Sequence, residues 1–213
     1  MNYLAERRQE EKERRRAEII DAAEEVVGSA GWDALTMDQV ARRARLSRAL
    51  LYVYFKDKID LMYGICERGL QLLRTRIDAV VGQHQLGLEQ MVAVGRSYIS
   101  FSQEFPVYFD IMARCELRGV NTLNAPANEV ACQLTGDAIH ATMVGVLSAG
   151  VRDGSIRADL GDPVVAAAVL WGFTHGVIQV AATRGKVLEH HGVDIAALLD
   201  QAVVMGARAL AKP

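Results

Sequence analysis

The sequence predicts an all-α fold of nine helices in two domains, with a small N-terminal head and a larger helical body. Apolar residues recur at the helical period of about 3.6 residues almost throughout the chain, and only four prolines and a few alternating apolar runs interrupt this pattern. With 213 residues, 51% of them hydrophobic, the chain is long enough to bury a substantial core. Basic residues are concentrated near the N-terminus, although the whole chain has a formal net charge of -2.

Helix signals follow one another in order along the chain. Residues 1–16 are mostly charged and predict an arm or a frayed helix extension, supported by side-chain pairs four residues apart. An apolar stripe from Ile19 to Ala30 then ends at Gly31, a residue typical of helix ends. Further helices are indicated by apolar patterns over 61–80, 88–102, 106–115, 130–147, 163–183 and 193–210.

The segment from Thr36 to Lys58 contains two short helical patterns separated by the turn 44–46. Ser47 follows the turn at a position where its hydroxyl can cap the second helix. Six cations oppose two anions within the segment, which gives a local charge of +4. A solvated basic surface is one interpretation of such a run. The turn and the interleaved tyrosines favour another, a helix-turn-helix that enters DNA.

The remaining composition bears on location and chemistry. Three widely spaced cysteines favour reduced thiols in a cytoplasm over a disulfide framework. The charged N-terminus is followed by no apolar region of the kind found in signal peptides. We find no zinc-ligand spacing, phosphate-binding glycine loop or nucleophile motif. The sequence therefore predicts a cytoplasmic protein that is not an enzyme and needs no cofactor or metal.

One uncharged stretch of 21 residues, Pro163–Thr183, is long enough to cross a bilayer. Thr174, His175 and Gln179 lie near its middle, it is rich in alanine, and charged residues closely flank it. These features disfavour a membrane span. We expect instead a helix enclosed by its own fold and by a second subunit.

Several motifs of the chain resemble those of one protein family. In the N-terminal part they are Ile20-Asp21-Ala22-Ala23, Gly31 with Leu35-Thr36, Val40-Ala41, Ser47, and the run Leu51-Tyr52-Val53-Tyr54-Phe55-Lys56-Asp57-Lys58. Looser C-terminal matches are Asp153-Gly154, Arg157, Asp159, Asp162-Pro163, Trp171 and His175-Gly176. Together they make the chain similar to the TetR family of bacterial transcriptional regulators. The resemblance implies a charged arm over 1–16, a DNA-binding helix-turn-helix domain over 17–62, and a ligand-binding and dimerisation domain over 63–213.

The resemblance also implies which residues contact a double-stranded DNA operator. They are Thr36, Arg42, Arg45, Ser47, Arg48, Leu50, Tyr52, Tyr54 and Lys58. Tyrosine hydroxyls and Lys58 suit phosphates, whereas Arg48 suits a guanine edge. Arg42 and Arg43 could each be a phosphate contact or merely a solvated residue. Two positions depart from the family pattern, because Arg45 replaces a usual glycine in the turn and Leu50 replaces a usual threonine or serine. We expect a remodelled turn, or else an Arg45 tolerated for a phosphate contact, and a contact of Leu50 with a thymine methyl group.

The body is expected to form a homodimer through helices eight and nine and to bind a small-molecule effector. Gly172 and Gly176 would let two helices approach closely, either between subunits or within one subunit. The predicted effector site consists of aromatic, soft or weakly polar side chains, namely Tyr98, Phe105, Phe109, Met112, His140, Met143, Trp171 and His175. The predicted function is a repressor released from DNA by a mostly hydrophobic small molecule. The alternative is a helical dimeric scaffold for ligands or proteins that has weak or lost specific DNA recognition.

Overall fold

The computed structural model describes residues 3–119 and 125–212, and these form nine α-helices without a β-strand. In chain order they are α1 (Tyr3–Ala30), α2 (Met37–Arg43), α3 (Arg48–Tyr54), α4 (Lys58–Val81), α5 (Gly87–Glu104), α6 (Pro106–Leu117), α7 (Ala127–Asp153), α8 (Pro163–His190) and α9 (Ile195–Leu210). The predicted all-α, nine-helix fold is confirmed. Helix α8 extends beyond the uncharged stretch 163–183 and ends at His190.

Local side-chain chemistry explains the helix boundaries. The Asp57 carboxylate accepts hydrogen bonds from the first free amides of α4, at 2.8 and 2.9 Å, and Asp162 caps α8 in the same way at 2.8 Å. Gly31 and Gly154 follow the ends of α1 and α7 with φ angles of 81° and 78°, a conformation that glycine adopts without strain. Gly31 is where the sequence predicts the end of the first helix.

The described residues fall into two compact units. The first unit consists of those within 1–70 and 107–133, and the second of those within 71–106 and 134–213. All three divisions between the units fall within helices, in α4, α6 and α7, and the first lies in the helix where a domain junction is expected from the sequence. The functional boundaries 1–16, 17–62 and 63–213 stay a prediction, since compactness groups α6 and the start of α7 with the N-terminal helices.

In the first unit, α4 packs directly against the end of α3. Phe55 follows α3 and is fully buried. A Cβ atom at Gly64 would lie 2.7 Å from the Phe55 ring, closer than real carbon atoms approach, so this packing requires a glycine. The guanidinium of Arg16 lies 5.6 Å from the centre of the same ring and 2.9 Å from the Asn128 side-chain oxygen. Phe55 is therefore contacted by α1 and α4, and Arg16 also connects α1 to α7.

Helix α6 is also tied to the N-terminal helices of the first unit. Arg114 donates two hydrogen bonds to the carboxylate of Asp33, at 3.0 and 3.2 Å, and Asp33 lies in the loop between α1 and α2. Arg68 of α4 contacts Asp21 at 2.5 Å and Glu24 at 3.2 Å on α1. These ion pairs connect α6 and α4 to the elements that precede the helix-turn-helix.

In the second unit, α5 and α7 cross at two glycines. A Cβ atom at Gly87 would meet the Cα atom of Gly150 at 2.4 Å, so only glycine permits this crossing. Helix α5 also packs against α8 and α9, which contact each other. Tyr98, Phe101 and Leu199 are among the residues buried in this unit.

Helix α8 is covered by its own chain only in part. Its buried residues in the described structure are Ala167 and Ile178. Its own fold therefore covers one side of the helix, whereas we expected it to be enclosed by the fold and by a second subunit. By length and composition, α7 and α8 could each cross a membrane. That is weak evidence, because core helices of other proteins satisfy the same criteria.

Candidate nucleic-acid interface

The first helix of the predicted helix-turn-helix, α2, begins with a capping box. The Thr36 hydroxyl oxygen accepts a hydrogen bond from the Gln39 amide at 3.3 Å. In return, the Gln39 side-chain oxygen accepts one from the Thr36 amide at 2.8 Å. This reciprocal arrangement satisfies two amides that the helix leaves free. Thr36 is therefore engaged in positioning α2, while its side chain is exposed.

Arg45 holds the turn between the two helices in a left-handed conformation. Its φ angle is 56°, and it is the only non-glycine residue with positive φ in the described structure. The Arg45 amide donates to the Arg42 carbonyl at 3.1 Å and the Leu46 amide to the Ala41 carbonyl at 2.9 Å, the pattern of a Schellman motif. The turn thus keeps the geometry that suits a glycine, and of the two expectations for Arg45 a remodelled turn is wrong.

Helix α3 begins at a serine cap and presents Arg48 to solvent. The Ser47 hydroxyl accepts a hydrogen bond from the Leu50 amide at 3.2 Å, as the sequence predicts. Arg48 lies 3.3 Å from the Asp38 carboxylate of α2 and 5.6 Å from the centre of the Tyr52 ring. A hydrogen bond with Tyr52 and the charge of Asp38 raise the pKa of Arg48 above its usual value. The guanidinium is therefore charged and held at the exposed surface of α3.

Three further side chains contribute to the outer surface of α3. Leu50 and Tyr52 are 37% and 39% exposed, and Val53 is 73% exposed. Val53 is part of the family motif in the sequence but is not among the predicted DNA contacts. Its signal was the position next to Tyr52, between the buried Leu51 of α3 and the buried Phe55 that follows the helix. Exposed apolar groups of this kind suit thymine methyl groups.

Two of the basic residues at the end of α2 and in the turn have free charged groups. Glu25 forms an ion pair with Arg43. Within the described part of the chain, the side chains of Arg42 and Arg45 make no hydrogen bond or ion pair, and both are exposed. Glu25 and the three arginines, Arg42, Arg43 and Arg45, line one shallow surface depression. The structure thus distinguishes Arg42 from Arg43, two residues that the sequence left equivalent.

The Lys58 side chain is half-buried, and its ammonium group is hydrogen-bonded within the fold. Its ammonium donates to the Trp32 carbonyl at 2.7 Å and to the Asp33 carbonyl at 3.3 Å. The Trp32 ring centre is 4.8 Å away. Burial lowers the pKa of Lys58 below its usual value. A phosphate contact by Lys58 stays a prediction, and it would require the ammonium to leave these carbonyls. Tyr54, also predicted at DNA, is half-buried.

The predicted effector residues are divided between the two units. Phe109 and Met112 of α6 belong to the first unit and are buried. The other six belong to the second unit: Tyr98, Phe105, His140, Met143, Trp171 and His175.

Three residues of the second unit form one polar and aromatic cluster. The Tyr98 hydroxyl and Nδ1 of His175 are 2.8 Å apart and share a hydrogen bond. The rings of Trp171 and His175 lie one helical turn apart on α8, with centres separated by 5.7 Å. Burial lowers the pKa of His175 below 6.5, which favours a neutral imidazole. The cluster offers hydrogen-bonding groups within an aromatic environment.

An exposed, capped and basic α3 that follows a tight turn defines the class of the chain, a helix-turn-helix protein with a further helical unit. Residues 19–63 match the family model described as bacterial regulatory proteins, tetR family. A regulatory protein of the tetR family from Rhodococcus RHA1 has the same fold with a TM-score of 0.70, at 18% identity, over 93% of this chain and 98% of that one. The chain is therefore similar to the TetR family in residues 19–63 and shares the fold of a tetR-family regulator.

Relatives extend the comparison beyond the N-terminal region. The fatty acid metabolism regulator protein of Bacillus subtilis is 25% identical over 67% of this chain and 71% of its own length. The transcriptional activator FasR of Mycolicibacterium smegmatis is 33% identical over 75 residues, 32% of this chain, so the match spans only 34% of FasR. The structure of FadR from Bacillus subtilis in complex with stearoyl-CoA has a TM-score of 0.68 at 20% identity, covering 91% of this chain and 98% of FadR. These relatives are named as regulators of transcription or metabolism.

Proposed function

We propose that the chain is a ligand-responsive DNA-binding transcriptional regulator that acts as a repressor, rather than an enzyme. The observation that carries this proposal is the exposed surface of α3, where Arg48 is held beside Tyr52 on a helix capped by Ser47. It lies within the segment that matches the TetR family model. Bacterial DNA is in the cytoplasm, and the protein would act there.

The contacts divide by chemistry. Arg48 supplies a planar guanidinium suited to two acceptors of guanine, once it exchanges the Asp38 carboxylate for the base. Leu50 and Val53 offer apolar surface to thymine methyl groups. The free cations of Arg42 and Arg45 suit phosphates, which fix the position of the protein without reading sequence.

DNA binding is tested by fluorescence anisotropy with labelled DNA that flanks the gene of this protein. We expect saturable binding at low salt that weakens linearly with the logarithm of salt concentration. A random duplex of equal length is the control for specificity. Absence of binding at low salt would contradict the proposal and favour the scaffold alternative. In a transcription reporter, the protein should lower expression from that DNA, and an increase would assign activation instead of repression.

We further propose that the protein forms a homodimer through α8 and α9. Exposed apolar or small residues recur along α8 at spacings of three, four or seven, as expected of one helix face. They are Val165, Val169, Gly172, Gly176, Val180 and Val187. Met205 of α9 is 52% exposed as well. An apolar surface of this extent is typical of an interface between subunits.

The glycines of this face support the same interface. A Cβ atom at Gly172 or Gly176 would meet no other atom of the described residues within 4 Å, apart from its own helix backbone and chain neighbours. Packing within one subunit therefore does not account for these glycines, whereas close approach of a partner helix does. A dimer also supplies the second recognition helix that an operator of two half-sites requires.

A leucine at Gly176 tests the interface without disturbing the fold of one chain. We expect Gly176→Leu to shift the protein from dimer to monomer in light scattering after gel filtration. Gly145→Leu is the matched control, since Gly145 is likewise a helical glycine with open space around it, but on α7. Dimers of equal stability in both variants would contradict the proposed interface.

For the effector, we propose a mostly hydrophobic small molecule with a polar group. The cluster of Tyr98, Trp171 and His175 in the second unit supplies hydrogen-bonding groups within an aromatic environment. The likeness to the fatty acid metabolism regulator and to FadR bound to stearoyl-CoA makes a long-chain acyl-CoA the first compound to test.

Helix α6 offers a route by which an effector could change DNA binding. A ligand that displaces α6 would also act on the ion pair of Arg114 with Asp33, beside the helix-turn-helix. Suppose that the first unit has two arrangements that differ in DNA affinity. A ligand then changes DNA binding only as far as it binds one arrangement more tightly than the other.

Stearoyl-CoA should raise the melting temperature of the protein and dissociate it from the flanking DNA at the same concentrations. Tyr98→Phe keeps the ring and removes the hydroxyl, so it should weaken the effect of the ligand while DNA binding without ligand is kept. A ligand response unaltered in this variant would contradict the role of Tyr98.

A further inference from the structure

Three cysteines that are distant in the sequence come together in the first unit. Cys66 lies on α4, Cys115 on α6 and Cys132 on α7, and all three are free and buried. The sulfur atoms of Cys66 and Cys132 are 3.0 Å apart in a direct thiol contact. In the described residues, no cluster of His, Cys, Asp and Glu is arranged to hold a metal ion. Two thiols in direct contact have the chemistry needed to form a disulfide.

We propose that Cys66 and Cys132 form a reversible redox site that closes to a disulfide when the protein meets a peroxide. A disulfide needs a sulfur separation of about 2.05 Å, so the two atoms have to approach by only about 1 Å. The bond would join α4 to α7 within the first unit, and α4 begins directly after the DNA-binding segment.

The chemical environment makes Cys132 the residue that is oxidised first. Hydrogen bonds from the thiols of Cys115 and Cys66 lower the pKa of Cys132, because they stabilise its thiolate. Hydrogen bonds to the neighbouring sulfurs and burial raise the pKa of Cys66, so Cys66 stays protonated. A thiolate is the form that attacks a peroxide.

The reaction proceeds in two balanced steps. The Cys132 thiolate attacks one oxygen of hydrogen peroxide, the O–O bond breaks, and a sulfenic acid and hydroxide form. The Cys66 sulfur then attacks the sulfenic sulfur, the S–O bond breaks, and the disulfide forms with loss of water once the thiol proton has been transferred to the leaving oxygen. In total, two thiols are oxidised and one peroxide is reduced to two water molecules, while Cys115 stays a free thiol.

The three cysteine residues are buried to slightly different extents. Cys132 and Cys115 are 7% and 8% exposed, and Cys66 is 2% exposed. This order places the thiol with the lowered pKa nearer to solvent than its partner. Large thiol reagents should react slowly with the folded protein, whereas hydrogen peroxide should reach Cys132.

The test uses the full chain, reduced and freed of reductant, and then treated with a small excess of hydrogen peroxide. Thiols counted after unfolding should fall from three to one, and a dithiol reductant should restore all three. Peptide mapping should recover a fragment that joins Cys66 to Cys132. Retention of three thiols, or a disulfide that includes Cys115, would overturn the proposal. The result is independent of DNA and effector binding, so failure here leaves the proposed regulatory function untouched.

Single variants separate the roles of the three cysteines, with circular dichroism as the check on folding. Cys115→Ala should still lose two thiols to the disulfide. In Cys66→Ala, the second step is blocked, so a sulfenic acid should accumulate on Cys132 and be trapped by dimedone. Dimedone labelling on Cys115 in place of Cys132 would contradict the assigned order of oxidation. The mapping of the unmodified chain decides the proposal even if a variant does not fold.

Discussion

Replacement of Arg45 by glycine is expected to stabilise the protein while it weakens attachment to DNA. Arg45 has a φ angle of 56°, and a left-handed conformation costs a non-glycine residue about 1–2 kcal/mol. Glycine removes this strain but loses about 0.5–1 kcal/mol through the greater freedom of the unfolded chain. The net gain in the free energy of unfolding is then between zero and about 1.5 kcal/mol, which corresponds to a rise of up to about 6 °C in Tm for a chain of this size.

The charge of Arg45 has a separate effect that DNA titrations can measure. If the exposed guanidinium contacts one phosphate, its loss should reduce the slope of log affinity against log salt by about 0.9 for each bound subunit. Stability is measured by chemical denaturation and the slope by fluorescence anisotropy at several salt concentrations. Both effects come from one residue and have different physical causes.

Arg45→Ala is the matched control, because alanine removes the charge and keeps the strained φ angle. This variant should lose the same salt dependence as Arg45→Gly without any gain in stability. Equal stability of the glycine and alanine variants would refute the assignment of strain to the turn. An unchanged salt slope in both would refute the phosphate contact and leave the strain argument intact.

Arg48→Ala should weaken binding to the specific operator by about 1–3 kcal/mol, whereas equal losses on operator and random DNA would contradict a base contact. Lys58→Ala should lower the free energy of unfolding by about 1–3 kcal/mol because two backbone carbonyls lose a charged donor, and the exposed Lys56→Ala is its control in chemical denaturation. A lower salt slope for Lys58→Ala without loss of stability would instead support its predicted phosphate contact. Since burial lowers the pKa of His175 below 6.5, protonation favours the unfolded chain, so stability should fall as pH decreases through 6.5. His175→Gln should reduce this decrease, and an unchanged pH dependence would argue against burial of a neutral imidazole.

Much of the helix architecture could be predicted from sequence because its signals are local. The caps at Ser47, Asp57 and Asp162 and the stops at Gly31 and Gly154 depend on residues within one turn of the helix end. The resemblance to the TetR family also identified α3 correctly. Helix boundaries of this kind can be predicted because the residues that determine them are close together in the sequence.

The partners of individual side chains were much harder to predict. The sequence treated Lys58 as a phosphate ligand and Arg42 and Arg43 as equivalent, yet the Trp32 carbonyl and Glu25 distinguish them in the fold. The cysteine cluster depends on three helices that meet only in the packed unit, so spacing along the chain gave no sign of it. Such contacts are set by tertiary packing and not by local pattern.

The most direct test of the proposed function is a pair of titrations with DNA that flanks the gene, using the unmodified protein and Arg48→Ala. We expect tight, salt-dependent binding of the dimer to one site, with the variant losing affinity for that site and little for random DNA. We also expect release of the unmodified protein by a hydrophobic ligand. Identical binding of both proteins to every duplex, or no binding at low salt, would contradict the claim that α3 reads DNA.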